Sequence, residues 1–456
     1  MKLEDIAKVY FIGIGGIGMS AIARYFKRRG AGVWGYDKTE TTLTKKLVEE
    51  GMQIHYDENV EAIPEGIDLV VYTPAVPESH KELVYFRENG FPVKKRAEVL
   101  GIISKGRKTI AIAGTHGKTS TSTITTHLLR EGGIDCSAFL GGIAHNYGSN
   151  FVYGESEWVV IEADEFDRSF LWLSPDIASI MSLDADHLDI YGDREAMMET
   201  GFRAFVKNIR PDGQLLIIHR ERASFADFGR VLSFGIEEGD VQATNIRVVN
   251  GYFVFDYEGE KTTIRDIQFT LPGRHNIENA LAAITIAVTL GVSPDSIKEA
   301  MRTFKGIKRR FDRVVETKKV VYIDDYAHHP SELKAAISAA RELYPGRKLT
   351  GIFQPHLYSR TNDFYKEFAA ALDGLDELLL LDIYPAREEP IPGVKSEMIL
   401  REMNRATRQL CHKGAVLFEL ENRDLEVVMT LGAGDIDRLI PAVKALVVRA
   451  VSTAEK

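Results

Sequence analysis

The run Lys108-Thr109-Ile110-Ala111-Ile112-Ala113 leads directly into Gly114-Thr115-His116-Gly117-Lys118-Thr119-Ser120 and then into a helix-forming segment. Few arrangements satisfy that order. It reads as a buried strand, a tight glycine loop and a helix N-terminus in succession. Such a junction aims free backbone N–H groups and the positive end of the helix dipole at one point, where a polyphosphate can sit. Lys118 supplies a cation for the outer phosphates, and the Thr119 hydroxyl is placed to bind Mg²⁺. The longer form of this loop would have glycine at position 112; Ile112 stands there, so the loop is a shortened variant. A turn that merely ends a strand is the plain alternative, and Gly-Lys-Thr at this junction argues against it. The expectation is a nucleoside-triphosphate site.

Short apolar runs and helical patterns alternate through the rest of the chain. The first segment has a strand pattern at Lys8–Ile12, a glycine loop Gly13-Ile14-Gly15-Gly16-Ile17-Gly18, a helix to about Arg29 and a strand Val33–Tyr36 ending at Asp37. Asp68–Tyr72 continues the strands, and Ser79–Asn89 and Lys95–Ile103 continue the helices. The second segment adds apolar runs at Trp158–Ile161, Ile177–Met181 and Gln214–Ile218. Hairpin signals follow around Asn250-Gly251 and Tyr257–Gly259, then a helix from Ile277 to Leu290. The third has strands at Val320–Ile323, Leu349–Phe353, Glu377–Leu381 and Val427–Leu431, with helices at Ser331–Leu343 and Tyr365–Leu372. This order predicts an α/β fold with mainly parallel sheets covered on both faces. Lys105-Gly106-Arg107 and the basic, turn-rich stretch 306–313 are the expected linkers, which gives domains at 1–105, 106–313 and 314–456.

A chain of 456 residues fits about three domains. Its 45% hydrophobic and 27% charged composition is that of a soluble protein. The net charge of −9 argues against general nucleic-acid or anionic-membrane binding, so anionic substrates must be met by local cations and helix N-termini. Cys136 and Cys411 match no metal-ligand spacing and read as reduced thiols. No secretory leader pattern opens the chain and no run is apolar enough to span a bilayer, so a cytoplasmic protein is expected.

Other constellations bear chemistry. Gly13, Gly15 and Gly18, with Asp37 about 20 residues on to meet a ribose hydroxyl, form a dinucleotide fingerprint. The loop needs only a diphosphate, so a dinucleotide and a nucleotide-sugar fit equally. Glu162-Ala163-Asp164-Glu165 ends a buried strand, where an acid can bind the Mg²⁺ that bridges β- and γ-phosphates. His187, inside Asp184-Ala185-Asp186-His187-Leu188-Asp189, is a candidate ligand for a second ion. Asn276 and Asn279 lie one helical turn apart: Asn276 can cap the helix, or the two amides can read an adenine edge. Lys308–Phe311, Asp324–Pro330 and Gln354–Arg360 recur at or near strand ends, where open α/β sheets bind ligands.

Taken in order, Gly13–Ser20, Gly114–Ser120, Glu162–Phe170, Asp186–Gly192, Pro272–Ala280, Arg309–Phe311, Asp324–Pro330, Phe353–Thr361 and Gly432–Ile436 resemble the Mur ligases of peptidoglycan synthesis, most closely their alanine-adding branch. The resemblance implies three domains: a Rossmann-like N-terminal domain for a UDP-substrate, a central phosphate-loop ATPase domain, and a Rossmann-like C-terminal domain that closes over ATP and binds the amino acid. It resolves the first loop towards UDP, with Gly13, Gly15, Gly16, Ile17, Gly18, Asp37 and the uracil-side stretch Thr73-Pro74-Ala75. The implied reaction uses ATP to turn the lactyl carboxylate of UDP-N-acetylmuramate into an acyl phosphate, which the L-alanine amine attacks. Gly114, Thr115, His116, Gly117, Lys118, Thr119 and Ser120 would hold ATP. Lys118 and Arg310 would meet its β/γ-phosphates, Thr119 and Glu162 one Mg²⁺ and His187 a second. Asn276 and Asn279 would contact adenine and Asp325 the ribose. Tyr326, His328, His356 and Arg360 would line the muramate and alanine side. A monomer or homodimer is expected. The recycling branch that attaches a ready-made tripeptide is the nearest alternative, and an NAD(P)-dependent oxidoreductase a distant one. Ser182, Leu357 and Arg387 depart from the commoner pattern; Thr200 stands where sister ligases place a carbamylated lysine, so no carbamate is expected.

Overall fold

The computed structural model describes residues 3–184, 191–386, 388–405 and 407–453. The chain forms two compact units: Met1–Asn245 with Phe255–Ile267 and Glu278–Lys305, and Ile246–Val254 with Gln268–Ile277 and Gly306–Lys456.

The first sheet has five strands, β1 (Lys8–Ile12), β2 (Gly32–Tyr36), β3 (Gln53–His55), β4 (Leu69–Tyr72) and β5 (Val93–Lys95), in the order β3-β2-β1-β4-β5. All its pairings are parallel. This is the half-sheet order of a mononucleotide-binding fold, with β1 at the point where the order reverses. The helix Ile17–Arg28 follows β1 and buries Met19, Ile22, Tyr25 and Phe26. Gly30, at φ +87°, turns the chain after it.

The central sheet is built from β6 (Lys108–Ala113), β7 (Ser137–Ala144), β8 (Ser149–Val152), β9 (Trp158–Glu162), β10 (Ile177–Ile180), β11 (Gln214–Ile218), β12 (Val231–Ile236), β13 (Val241–Val249), β14 (Tyr252–Glu258) and β15 (Thr263–Phe269). Its order is β15-β14-β13-β12-β11-β10-β6-β9-β7-β8, and β13–β15 contribute residues to both units. β6 lies between β9 and β10, parallel to both, so the glycine loop leaves the middle of the sheet. Asn250 and Gly251, at φ +52° and +79°, make the tight turn between β13 and β14. The helix Lys118–Glu131 carries a buried run of hydroxyl residues. Thr123 and Thr126 satisfy theirs by donating to the carbonyls of Thr119 and Ser122, each at 2.7 Å. Within this unit Tyr25 packs on Phe139 and Phe151, with ring centroids 5.8 and 6.2 Å apart. Asn150, fully buried, accepts from Arg24 and donates to Ser20 Oγ at 3.0 Å.

The other unit holds β16 (Asp312–Glu316), β17 (Val321–Asp325), β18 (Leu349–Phe353), β19 (Glu377–Leu380), β20 (Thr407–Leu410) and β21 (Val427–Leu431), in the order β16-β17-β21-β18-β19-β20. Only β16 runs antiparallel. Tyr322, Ile352, Leu379 and Val428 anchor its core. No helix among the described residues is long and apolar enough to cross a membrane.

Candidate functional site

At the first glycine loop, the Gly13 and Ile14 N–H groups donate to the Tyr36 carbonyl at 2.8 and 3.0 Å, which draws the loop over β2. Gly15 N–H donates to Asp37 Oδ2 at 2.7 Å, and Thr39 N–H to Asp37 Oδ1 at 3.2 Å. Asp37 therefore ties the loop in place. A side chain at Gly15 would place Cβ 2.7 Å from Thr44 Cγ2 and 2.8 Å from Asp37 Oδ2. A Cβ at Gly13 would stand 3.0 Å from Thr73 Cγ2, so the loop and the Thr73-Pro74-Ala75 stretch come together. Gly16 caps the helix through its backbone, and Ile17 opens it. The Arg96 guanidinium lies against Gly18, 2.8 Å from where a Cβ would stand. Sequence reasoning missed that cation, since Arg96 sits 78 positions from Gly18 with no motif of its own.

The phosphate loop takes its shape from positive-φ glycines, Gly114 at +125° and Gly117 at +82°. Ser182, where asparagine is commoner in the pattern, is built into it: Ser182 Oγ accepts from His116 N–H at 2.7 Å and shares a hydrogen bond with Thr115 Oγ1 at 2.9 Å. The helix opens at Lys118, leaving the Lys118, Thr119 and Ser120 N–H groups at its positive end. Lys118 Nζ donates to Gly114 O at 2.6 Å and to both Glu165 oxygens at 2.9 and 2.7 Å. Burial would lower the ammonium's pKa, but the surrounding carboxylates, Glu165 foremost with Asp164 and Glu162, together hold the group above its usual value.

Glu162 ends β9 beside β6. Thr119 Oγ1 lies 3.0 Å from Glu162 Oε1, and Gly141 N–H donates to Oε2 at 2.8 Å. Adjacent oxygens around an octahedral Mg²⁺, each at ~2.1 Å, are about 3.0 Å apart, so this pair fits two neighbouring ligand positions. His187, the candidate for a second ion, lies outside the described residues. Among the described residues no three His, Cys, Asp or Glu side chains gather as a metal site.

Asn276 does not cap the helix, because the helix begins earlier, at Arg274. Its Nδ2 instead donates to the Pro272 carbonyl at 2.7 Å. Asn279 accepts from Thr121 Oγ1 at 3.3 Å and closes on Gly117, whose Cβ would lie 2.5 Å from Asn279 Oδ1. Both amides are 5% exposed, Asn276 held to backbone and Asn279 to a side-chain hydroxyl.

In the other unit, neighbouring arginines separate. Arg309 is 13% exposed, donates to Asp324 at 3.2 Å and holds the Gly432 carbonyl at 2.5 Å. Arg310 is 32% exposed, with the Glu332 carboxylate 4.0 Å away. Asp325 accepts from Phe311 and Ala327 N–H, both at 2.7 Å, while burial raises its carboxyl to about 6. Tyr326 and His328 have ring centroids 5.3 Å apart, and His328 and His356 5.9 Å. Burial lowers the His328 imidazole to about 4 against the pull of Glu332, with the Arg360 charge adding to the drop. These four candidates thus meet in one place. Leu357 adopts φ +74° and donates its N–H to the Tyr384 carbonyl at 2.9 Å, so it acts there through its backbone. Thr200 is exposed and donates to Ala196 O at 2.8 Å. Arg387 lies outside the described residues.

Three family models match successive stretches of the chain: residues 8–108 (Mur ligase family, catalytic domain), 112–287 (Mur ligase middle domain) and 309–436 (Mur ligase, glutamate ligase domain). A UDP-N-acetylmuramate–L-alanine ligase of Phocaeicola vulgatus is 49% identical over 98% of this chain and 99% of its own. One from Parabacteroides distasonis is 50% identical over 99% of each. The crystal structure of UDP-N-acetylmuramate–alanine ligase from Thermotoga maritima superposes with a TM-score of 0.83 at 28% identity, covering 98% of this chain and 99% of that one. A murein peptide ligase from Psychrobacter arcticus shares the fold, with a TM-score of 0.71 at 22% identity over 96% and 98% of the two chains. With three family models covering most of its length and relatives about half identical from end to end, the chain belongs to the Mur ligase family.

Proposed function

We propose that this chain is an ATP- and Mg²⁺-dependent ligase that joins L-alanine to the lactyl carboxylate of UDP-N-acetylmuramate, releasing ADP and phosphate, in cytoplasmic peptidoglycan precursor synthesis. The reading is carried by the grouping of Lys118, Thr119 and Glu162 at the end of β6 and β9, in a chain whose near-full-length relatives bear the alanine-ligase name. Its division of labour assigns 1–105 to the UDP-substrate, 106–313 to ATP and 314–456 to the amino acid.

The first step brings a carboxylate to a polyphosphate, so its main demand is neutralisation of like charge. Lys118 and the loop N–H groups take phosphate charge at a helix N-terminus. Arg310 is assigned the same task, because Arg309 beside it is committed to Asp324 and Gly432. Thr119 and Glu162 would hold Mg²⁺, which supplies Lewis-acid stabilisation of phosphoryl charge. His187 is the residue proposed for a second ion. The Gly13–Gly18 loop with Asp37 and Thr73–Ala75 takes the UDP end, Asp325 the ATP ribose and the Asn276–Asn279 turn the adenine side. Tyr326, His328, His356 and Arg360 take the muramate and alanine end. Burial keeps the His328 imidazole neutral at pH 7, so it adds no charge to this end of the site.

The test is phosphate release from ATP with UDP-N-acetylmuramate and Mg²⁺, offering L-alanine or the tripeptide in separate reactions. Release that requires L-alanine is the expected result. Release with the tripeptide alone would move the chain to the recycling branch.

A further inference from the structure

The mechanism above does not use a buried carboxylate that sits against the phosphate loop. Glu165 stands three residues beyond the end of β9, its side chain fully buried, with both oxygens on the Lys118 ammonium. Its backbone is pinned as well, since Tyr191 donates its hydroxyl to the Glu165 carbonyl at 2.7 Å. An ammonium has three N–H donors. Gly114 O takes one at 2.6 Å and the Glu165 oxygens face the others at 2.7 and 2.9 Å. A phosphate oxygen that bonds to Nζ must displace one of these acceptors, and Glu165 is the one that competes with it in charge. Two anions would otherwise crowd one cation in a site where Lys118 is 12% exposed and charge is poorly screened.

We propose that Glu165 is the resting partner of Lys118 and a positioning residue for the phosphate step: it holds Nζ at the loop while the site is empty, and yields it to nucleotide phosphate. The exchange sets ATP affinity lower than the loop alone would give. This inference rests on the assignment of Lys118 to phosphate.

The test measures equilibrium binding of a non-hydrolysable ATP analogue with Mg²⁺ to the full chain in four forms: wild type, Glu165→Gln, Lys118→Met and the double variant. Removing the competing charge in Glu165→Gln should tighten binding about three- to tenfold. The KM for ATP should fall alongside, while the KM for UDP-N-acetylmuramate stays unchanged. In the Lys118→Met background the Glu165 exchange should change affinity less than about twofold, because no ammonium remains to compete for. Unchanged or weaker binding in Glu165→Gln, with Lys118→Met weakening it, overturns the exchange and leaves the lysine assignment standing. Lys118→Met that binds as wild type overturns both. A second measurement needs no variant: crystals of the native chain with and without the analogue. The Lys118–Glu165 contact should open beyond about 4 Å as Nζ meets phosphate. A contact kept at its present length beside bound nucleotide contradicts the proposal.

Discussion

Arg309 and Arg310 are adjacent in sequence, and replacing each with alanine should do opposite things. Arg309 is 13% exposed and faces Asp324, 1% exposed, at 3.2 Å. Truncating it leaves a buried carboxylate whose remaining described partner is the Thr430 hydroxyl at 2.6 Å, and frees the Gly432 carbonyl. Breaking a buried pair in this way typically costs ~3–5 kcal/mol. Burial already raises the Asp324 carboxyl, so protonation limits the loss and the lower end, about 3 kcal/mol, is expected. Arg310, 32% exposed and 4.0 Å from Glu332, should contribute under ~1 kcal/mol to stability. Its proposed work is on phosphoryl charge, where an arginine is worth about 10³ in turnover. Urea unfolding of the full chain and steady-state phosphate release at saturating substrates measure the two effects side by side. Arg309→Ala as stable as wild type, or Arg310→Ala within tenfold of wild-type kcat, would refute the division of roles.

Glu162→Gln keeps the shape beside Thr119 but removes half of the proposed ion's protein ligands, so the Mg²⁺ concentration for half-maximal turnover should rise at least tenfold; an unchanged requirement places the ion elsewhere. Gly15→Ala pushes Cβ to 2.7 Å from Thr44 and should raise the KM for the UDP-sugar while nucleotide affinity holds, as isothermal titration would read. His328 is neutral in both folded and unfolded chains above its ordinary value of 6.5; below that the unfolded chain binds a proton that the fold resists down to about 4. Stability should therefore fall by about 3 kcal/mol between those pH values, and His328→Asn should flatten that slope in thermal melts. Asp325 works the other way: its carboxyl, raised from 3.8 to about 6, costs stability above that pH and is relieved on acidification. An identical slope with and without His328 contradicts its burial as a neutral base.

Strands such as Lys108–Ala113 and Val427–Leu431 were readable because each is an apolar run closed by glycine at a loop. The hairpin β7–β8 was not. Ser137–Ala144 mixes small and apolar residues without a period of two, and its shape comes from packing against neighbours. The helix expected at Tyr365–Leu372 begins at Tyr358, and Phe364, at φ −124°, breaks it just where the sequence pattern starts. The site divides similarly. Glycine loops announce themselves because positive φ and close approach demand glycine. A strand end with three acids does not reveal which carboxylate meets Thr119 and which meets Lys118; that needs the packing that buries Glu165 and turns Glu162 to Gly141. Arg309 and Arg310 likewise look alike until Asp324 and Gly432 are seen to claim one of them.

The proposed reaction is carboxylate activation by ATP followed by capture with L-alanine. Its most direct test gives the purified chain Mg²⁺-ATP, L-alanine and UDP-N-acetylmuramate labelled with oxygen-18 in the lactyl carboxylate, with mass spectrometry of both products. The expected products are the alanyl amide of the UDP-sugar and phosphate that carries an oxygen-18 atom from the carboxylate. Unlabelled phosphate, or phosphate formed without the amide, would contradict it.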